Sequence, residues 1–166
     1  MTDMQINSIQ DLKIALSTLK ELYPPFAEKN FRGCTEEELE AVRIKQGVGY
    51  LPLLYQQFLL EMGNGGCYLY TGSEYTIADL LELKIRANTL LATANQKNLK
   101  SDVFVFLMHQ GYAFMYFHTE DRNDNPPVYV YCNGREEPTE KRWKTLLEHY
   151  QQSLIELTEI LKRDEK

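Results

Sequence analysis

Residues 47–66 read GVGYLPLLYQQFLLEMGNGG, and the meaning of their five glycines decides the fold. A dinucleotide loop needs a strand, then GxGxxG, then a helix whose first amides face the pyrophosphate. GVGYLP has the first two glycines but puts Pro52 in the third place, and a helical pattern precedes it. No GK[ST] follows anywhere in the chain. The second cluster, GNGG, stands after a helix, at the dipole end that repels phosphate. The glycines are therefore punctuation. Pro52 suits the first position of a helix over PLLYQQFLLEM, with Leu51, Tyr55, Phe58, Leu59 and Met62 as its apolar stripe. The cluster then ends the helix and turns the chain into a short strand, CYLYT, at 67–71.

Helices flank this stretch. Upstream, SIQDLKIALSTLKELYPP predicts a first helix, capped by Ser8 and ended by Pro24 and Pro25. Ile9, Leu12, Leu16, Leu19 and Leu22 share its apolar face. CTEEELEAVRIKQG predicts a second, opened by a Thr35–Glu38 capping box and closed by Gly47, with Leu39, Val42 and Ile44 as its buried side. Downstream, TIADLLELKIRANTLLATAN predicts a helix capped by Thr76. DVFVFLMHQGYAFMYFHT then reads as a hairpin turning at Gln110-Gly111, and PPVYVYCNG as a further strand after the polar loop EDRNDN. PTEKRWKTLLEHYQQSLIELTEILKR predicts a long C-terminal helix. Helices mostly precede strands, so the expected class is α+β. It is one domain over residues 1–166, with an antiparallel sheet of about four strands, helices packed mainly on one face and a closing helix.

The order of a capped acidic helix, LPLLYQQFLLEMGNGG, a hairpin, PPVYVY and a closing helix resembles the SUKH superfamily, named partly for a yeast regulator of cell-wall synthesis. Leu51, Pro52, Tyr55, Phe58, Leu59, Gly63, Asn64 and Gly65 match its LPxxYxxFL and glycine-turn pattern. The resemblance covers roughly residues 8 to 160. Where the family usually carries a tryptophan or similar bulky residue after the turn, this chain has Cys67 and Tyr68. The resemblance implies a non-enzymatic binding protein. Bacterial members look like immunity proteins that neutralise polymorphic toxins, often nucleases, and fungal regulators are the other use.

Charge and histidine placement bear on the same question. The formal charge is −6, which argues against a nucleic-acid or anionic-membrane surface and permits a basic partner. The excess lies in two segments, each with five acids against two bases: 35–66 and 103–138. The N-terminal residues show no signal peptide and the longest apolar run is too short for a bilayer, so a cytoplasmic protein is expected. The three cysteines are dispersed, without a CxxC, and read as thiols rather than as a disulfide framework or a zinc site. A two-residue turn would place His109 and His118 about 20 Å apart along the ladder, too far to share a metal. No HExxH or GxSxG motif is present, and no cofactor is expected.

The same register sorts the hairpin's side chains. Phe104, Phe106, Met108, Ala113, Met115 and Phe117 would form the core face. Val105, Leu107, His109, Tyr112, Phe114, Tyr116 and His118 would take the other, where Tyr129 and Tyr131 join them. That tyrosine-rich side reads either as a half-buried face under a helix or loop, or as a binding surface. The candidate partner-binding residues are Glu120, Asp121 and Asp124 in the polar loop, with Tyr129, Tyr131, Tyr112 and Tyr116 beside it. The expected partner is a basic toxin domain. The rival reading is a regulatory scaffold of the cell-wall regulator type. Trp143, Leu147, Tyr150, Leu154, Leu157 and Leu161 form a heptad stripe of under three heptads, read as packing on its own domain rather than as a dimer seam. A monomer is expected.

Overall fold

The structure is a computed structural model that describes residues 5–65 and 69–164. Four helices come first. Helix α1 (Ile9–Leu22) is capped by Ser8 Oγ on the Asp11 amide, 3.1 Å. Pro24 and Pro25 end it and also open a short helix not expected from sequence, α2 (Pro24–Asn30), because proline at a first helical position costs no hydrogen bond. Helix α3 (Glu36–Gln46) carries the predicted capping box, with the Thr35 amide on Glu38 at 2.8 Å and the Glu38 amide on Thr35 Oγ1 at 3.2 Å. Gly47 closes it at φ 70°, a left-handed value that favours glycine. Helix α4 (Leu53–Met62) starts one residue later than predicted, with Pro52 as its cap.

Ile44 is not part of α3's buried side. It is 63% exposed, and the inward positions are Leu39, Val42 and Gln46. Glycine has a second use after α4. A Cβ on Gly65 would stand 1.8 Å from the Asn30 carbonyl oxygen, so close backbone approach fixes this residue. The strand expected at 67–71 is not seen in its described part: Leu69, Tyr70 and Thr71 lie in turns, and Cys67 and Tyr68 fall outside the described residues.

The sheet is an antiparallel meander of five strands in chain order: β1 (Ser73–Glu74), β2 (Val103–His109), β3 (Ala113–His118), β4 (Val128–Cys132) and β5 (Thr139–Trp143). Helix α5 (Ile77–Thr93), opened by a Thr76–Asp79 capping box, separates β1 from β2. Helix α6 (Leu146–Asp164) closes the chain. The long C-terminal helix thus begins later than its sequence pattern suggests. TEKRW pairs instead with β4, Thr139 opposite Tyr131 and Trp143 opposite Val128, and satisfies that strand's outer backbone groups.

The hairpin keeps only half of its predicted register. Gln110 and Gly111 take φ of 46° and 75°, and the Tyr112 amide bonds the His109 carbonyl, so the turn itself is the expected one. The ladder then begins at His109 opposite Ala113, one residue late. A bulge between Val105 and Leu107 absorbs the extra residue and restores the predicted pairing of Val103 with His118. In the shifted half, Met108 lies opposite Phe114 and Leu107 opposite Met115, which exchanges the faces predicted for these two residues.

Rings from α4 and α6 meet one face of the sheet: Tyr55 lies 5.3 Å from both Phe104 and Phe117, and His149 lies 5.5 Å from Phe106. On the other face Leu91 of α5 and the following Leu99 line a 400 Å³ recess with Phe114, Tyr116 and Tyr131. The heptad stripe on α6 packs inward, with Leu147, Tyr150, Leu154, Leu157 and Leu161 all in the core. His149 is 1% exposed, stacked on Tyr70, with Nε2 2.9 Å from the Tyr70 hydroxyl. Burial pushes its pKa down to about 3, so the ring stays neutral. Cys34 is buried, and desolvation, then the Glu38 charge, pushes its thiol up to about 11.

Candidate functional site

Gln46 sets the position of the site. Its side chain is buried and acts like one residue of a strand. Its Oε1 accepts from the Val105 amide at 2.8 Å, and its Nε2 donates to the Val105 carbonyl at 2.8 Å and to Leu80 at 3.0 Å. β1 pairs only with His109 and Met108, so this carboxamide covers the β2 edge beyond it. Lys84 adds a second tie, donating to Gln46 O at 2.7 Å and Ser101 O at 3.0 Å, and burial lowers its pKa. The end of α3 is thereby anchored to the sheet, and the connection 47–51 runs past the strand ends.

That connection walls a cleft of about 610 Å³, lined by Gly47, Gly49, Tyr50, Lys100, Ser101, Asp102, Thr119, Glu120 and Arg122. Among the described residues Tyr50 is its one aromatic lining residue. Its hydroxyl donates to Asp124 Oδ1, and burial followed by that carboxylate pushes its pKa up to about 12. The same Asp124 oxygen accepts from the Leu53 amide at 2.8 Å, which supplies the side-chain cap that Pro52 cannot give α4. On the opposite wall Asp102 Oδ2 lies 2.6 Å from His118 Nδ1, and the Asp102 carbonyl accepts from Thr119 N and Oγ1 at 2.9 and 2.8 Å. His118 meets Tyr129 edge-on at 5.4 Å, and Tyr129 stacks on Tyr116 at 5.4 Å. An aromatic row therefore leads from the tyrosine face to the rim of the cleft.

The predicted site residues divide accordingly. Glu120 and Asp121 are exposed on the β3–β4 loop, and Glu120 lines the cleft. Asp124 is exposed too, but its carboxylate is committed to Tyr50 and α4. Tyr129 is half-buried, between Tyr116 and His118 and with Lys141 Nζ 5.9 Å from its ring centre. Tyr116 at 9% and Tyr131 at 2% exposure are covered, Tyr131 stacking on Phe114 at 5.0 Å. Tyr112 is 44% exposed, but it sits by His109 at the hairpin turn, the far end of β3 from Glu120. Sequence reasoning missed Tyr50 and Asp102 as members of this surface, and put His118 on the tyrosine-rich face without counting it among the partner-binding residues. The visible signal was an aromatic residue inside the glycine-rich connection GVGYLP.

A second recess, of about 370 Å³, lies between α3 and α4 and shares Gly49 and Tyr50 with the cleft. The two acidic segments, distant in sequence, touch where Asp124 takes the Tyr50 hydroxyl and the Leu53 amide. Glu36 and Glu40 line the recess with Arg43, whereas Glu120 and Asp102 line the neighbouring cleft with Lys100 and Arg122. The three histidines lie in separate surroundings: His109 on Ser73, His118 on Asp102, His149 on Tyr70. Among the described residues no group of three or more His, Cys, Asp or Glu side chains could hold a metal ion, and no helix is long and apolar enough to cross a membrane.

No curated protein matches the chain. A family model described as SMI1-KNR4 cell-wall, SUKH_6, matches residues 36–149, which spans α3 through the start of α6 and so both walls of the cleft. With more than half of its length matched, the chain belongs to the SMI1-KNR4 cell-wall family, SUKH_6.

Proposed function

We propose that this protein works by binding another protein, as a non-enzymatic immunity protein that blocks a basic toxin domain in the bacterial cytoplasm. The observation that carries the reading is the meeting of the two acidic segments at Tyr50 and Asp124. A nuclease toxin must be basic where it meets phosphate. An acidic surface that covers that groove gains association rate from charge complementarity, and a half-buried aromatic such as Tyr129 supplies contact area afterwards. The Asp102–His118 pair supports binding better than catalysis. Asp102 orients the ring, while the groups facing His118 are the Tyr116 and Tyr129 rings, neither of them an activated nucleophile.

The family's cell-wall description favours a second reading, a regulatory module without a toxin partner. Co-expression separates the two. Under the first reading, the gene immediately upstream encodes a toxin, and cells expressing it survive only when this chain is present. A harmless upstream product, or killing that this chain does not relieve, contradicts the first reading.

A further inference from the structure

The recess between α3 and α4 has features that an acidic, solvated helix end lacks. Its floor is apolar, formed by Leu39 and Leu51, with Leu60 on its wall. Leu60 is 37% exposed, and Leu53, 52% exposed, stands seven residues earlier on the same side of α4. Helix α4 already buries Leu54, Tyr55, Phe58, Leu59 and Met62 on its inner side. Its outward leucines are therefore surplus to the core. The rim is acidic, from Glu36 and Glu40. Arg43, the base among the lining residues, binds both Glu40 oxygens at 2.5 and 2.7 Å and the Val48 carbonyl at 2.8 Å, which leaves Glu36 as the uncommitted acid of a net-acidic rim.

We infer that this groove docks a basic segment of a partner protein, seating an aliphatic side chain over Leu60 with a Lys or Arg residue against Glu36. The inference rests on the reading of a basic protein partner and adds how it is held. Charge selects this occupant over a second copy of the chain. A two-fold dimer would bring two net-acidic rims together, with Glu36 uncompensated on each. The apolar seat slows dissociation, while the acids act on association.

The test is an amide-resolved NMR titration of the whole chain with three synthetic peptides. One is helical with Lys and Leu at helical spacing, one is its Glu-for-Lys analogue, and one is oligolysine. The Lys/Leu peptide should shift the amides of Leu39, Glu40, Gln56 and Leu60 saturably. Leu60→Gln should weaken it about tenfold, the scale of one lost anchor, and Ile14→Gln, at an exposed apolar position on α1, should not. Glu36→Gln, which leaves the Thr35–Glu38 cap intact, should weaken it about threefold. Circular dichroism checks that each variant is folded. Equal binding of oligolysine, or shifts confined to the β3–β4 loop, would overturn the groove while leaving a basic partner standing. Equal binding of the Glu analogue would sink both. Self-association through Leu60, read by sedimentation, would overturn it in favour of a second copy.

Discussion

Gln46→Leu removes the side chain that joins α3 to the sheet while keeping most of its volume. Val105 then loses a partner for its amide and another for its carbonyl, both now at 2.8 Å and both buried. Each orphaned group costs about 1–3 kcal/mol, or about 2–6 kcal/mol for the pair. The leucine returns about 1–2 kcal/mol through apolar burial. The expected net loss is about 2.5 kcal/mol at mid-range, a large share of the roughly 5–15 kcal/mol that holds a domain together. Urea melts followed by circular dichroism measure the loss, and amide exchange at Val105 localises it. Gln46→Glu sharpens the argument because it keeps the acceptor for Val105 N–H but loses the donors. Its carboxyl would face two carbonyls, so its folded pKa would lie above its unfolded value. The variant should then gain stability relative to wild type as pH falls toward the unfolded carboxylate range. A loss below about 0.5 kcal/mol for Gln46→Leu, with unchanged Val105 exchange, would refute the clamp.

Three further outcomes follow from burial. His149 is neutral in the fold with a pKa of about 3, so the unfolded chain alone takes up its proton below about 6.5. Stability should fall by about 2 kcal/mol between about pH 7 and pH 5 from this group, and His149→Phe should abolish that component of the slope in paired denaturation series; an unchanged slope would refute it. The Tyr150 hydroxyl is buried with no hydrogen-bond partner among the described residues, so Tyr150→Phe should leave stability unchanged or raise it; a loss above about 1 kcal/mol would reveal a missed partner. Leu59→Ala should cost about 2–5 kcal/mol, whereas Ile44→Ala on the exposed side of α3 should cost under about 0.5 kcal/mol; similar values would contradict the assigned faces.

Caps and stripes were legible because they are local. The Thr35–Glu38 box, Gly47 and the stripe Leu51, Tyr55, Phe58, Leu59, Met62 all stand where spacing put them. What stayed hidden depends on distant partners. TEKRW is polar and follows helical spacing into α6, and only the open edge of β4 makes it a strand. The bulge opposite Tyr116 and Met115 has no marker in VFVFLM, an unbroken apolar run that hides any change of register. Gln46 looked like an ordinary polar residue at a helix end, because its partners Leu80 and Val105 lie far along the chain. The candidate surface was half readable for the same reason. The acids of the β3–β4 loop were visible as a polar run, but the hold of Asp124 on Tyr50 and on the start of α4 required the fold.

The most direct test of the binding reading is surface plasmon resonance between this chain and the protein encoded immediately upstream. Glu120→Lys/Asp121→Lys is the right reversal, because both side chains are exposed, whereas Asp124 is needed by Tyr50 and α4. The account predicts a saturable complex whose association slows with salt, screened over a Debye length of about 8 Å at physiological strength. The double reversal should slow association about tenfold and leave dissociation nearly unchanged, with the fold intact by circular dichroism. No complex, or association indifferent to both salt and charge reversal, would contradict it.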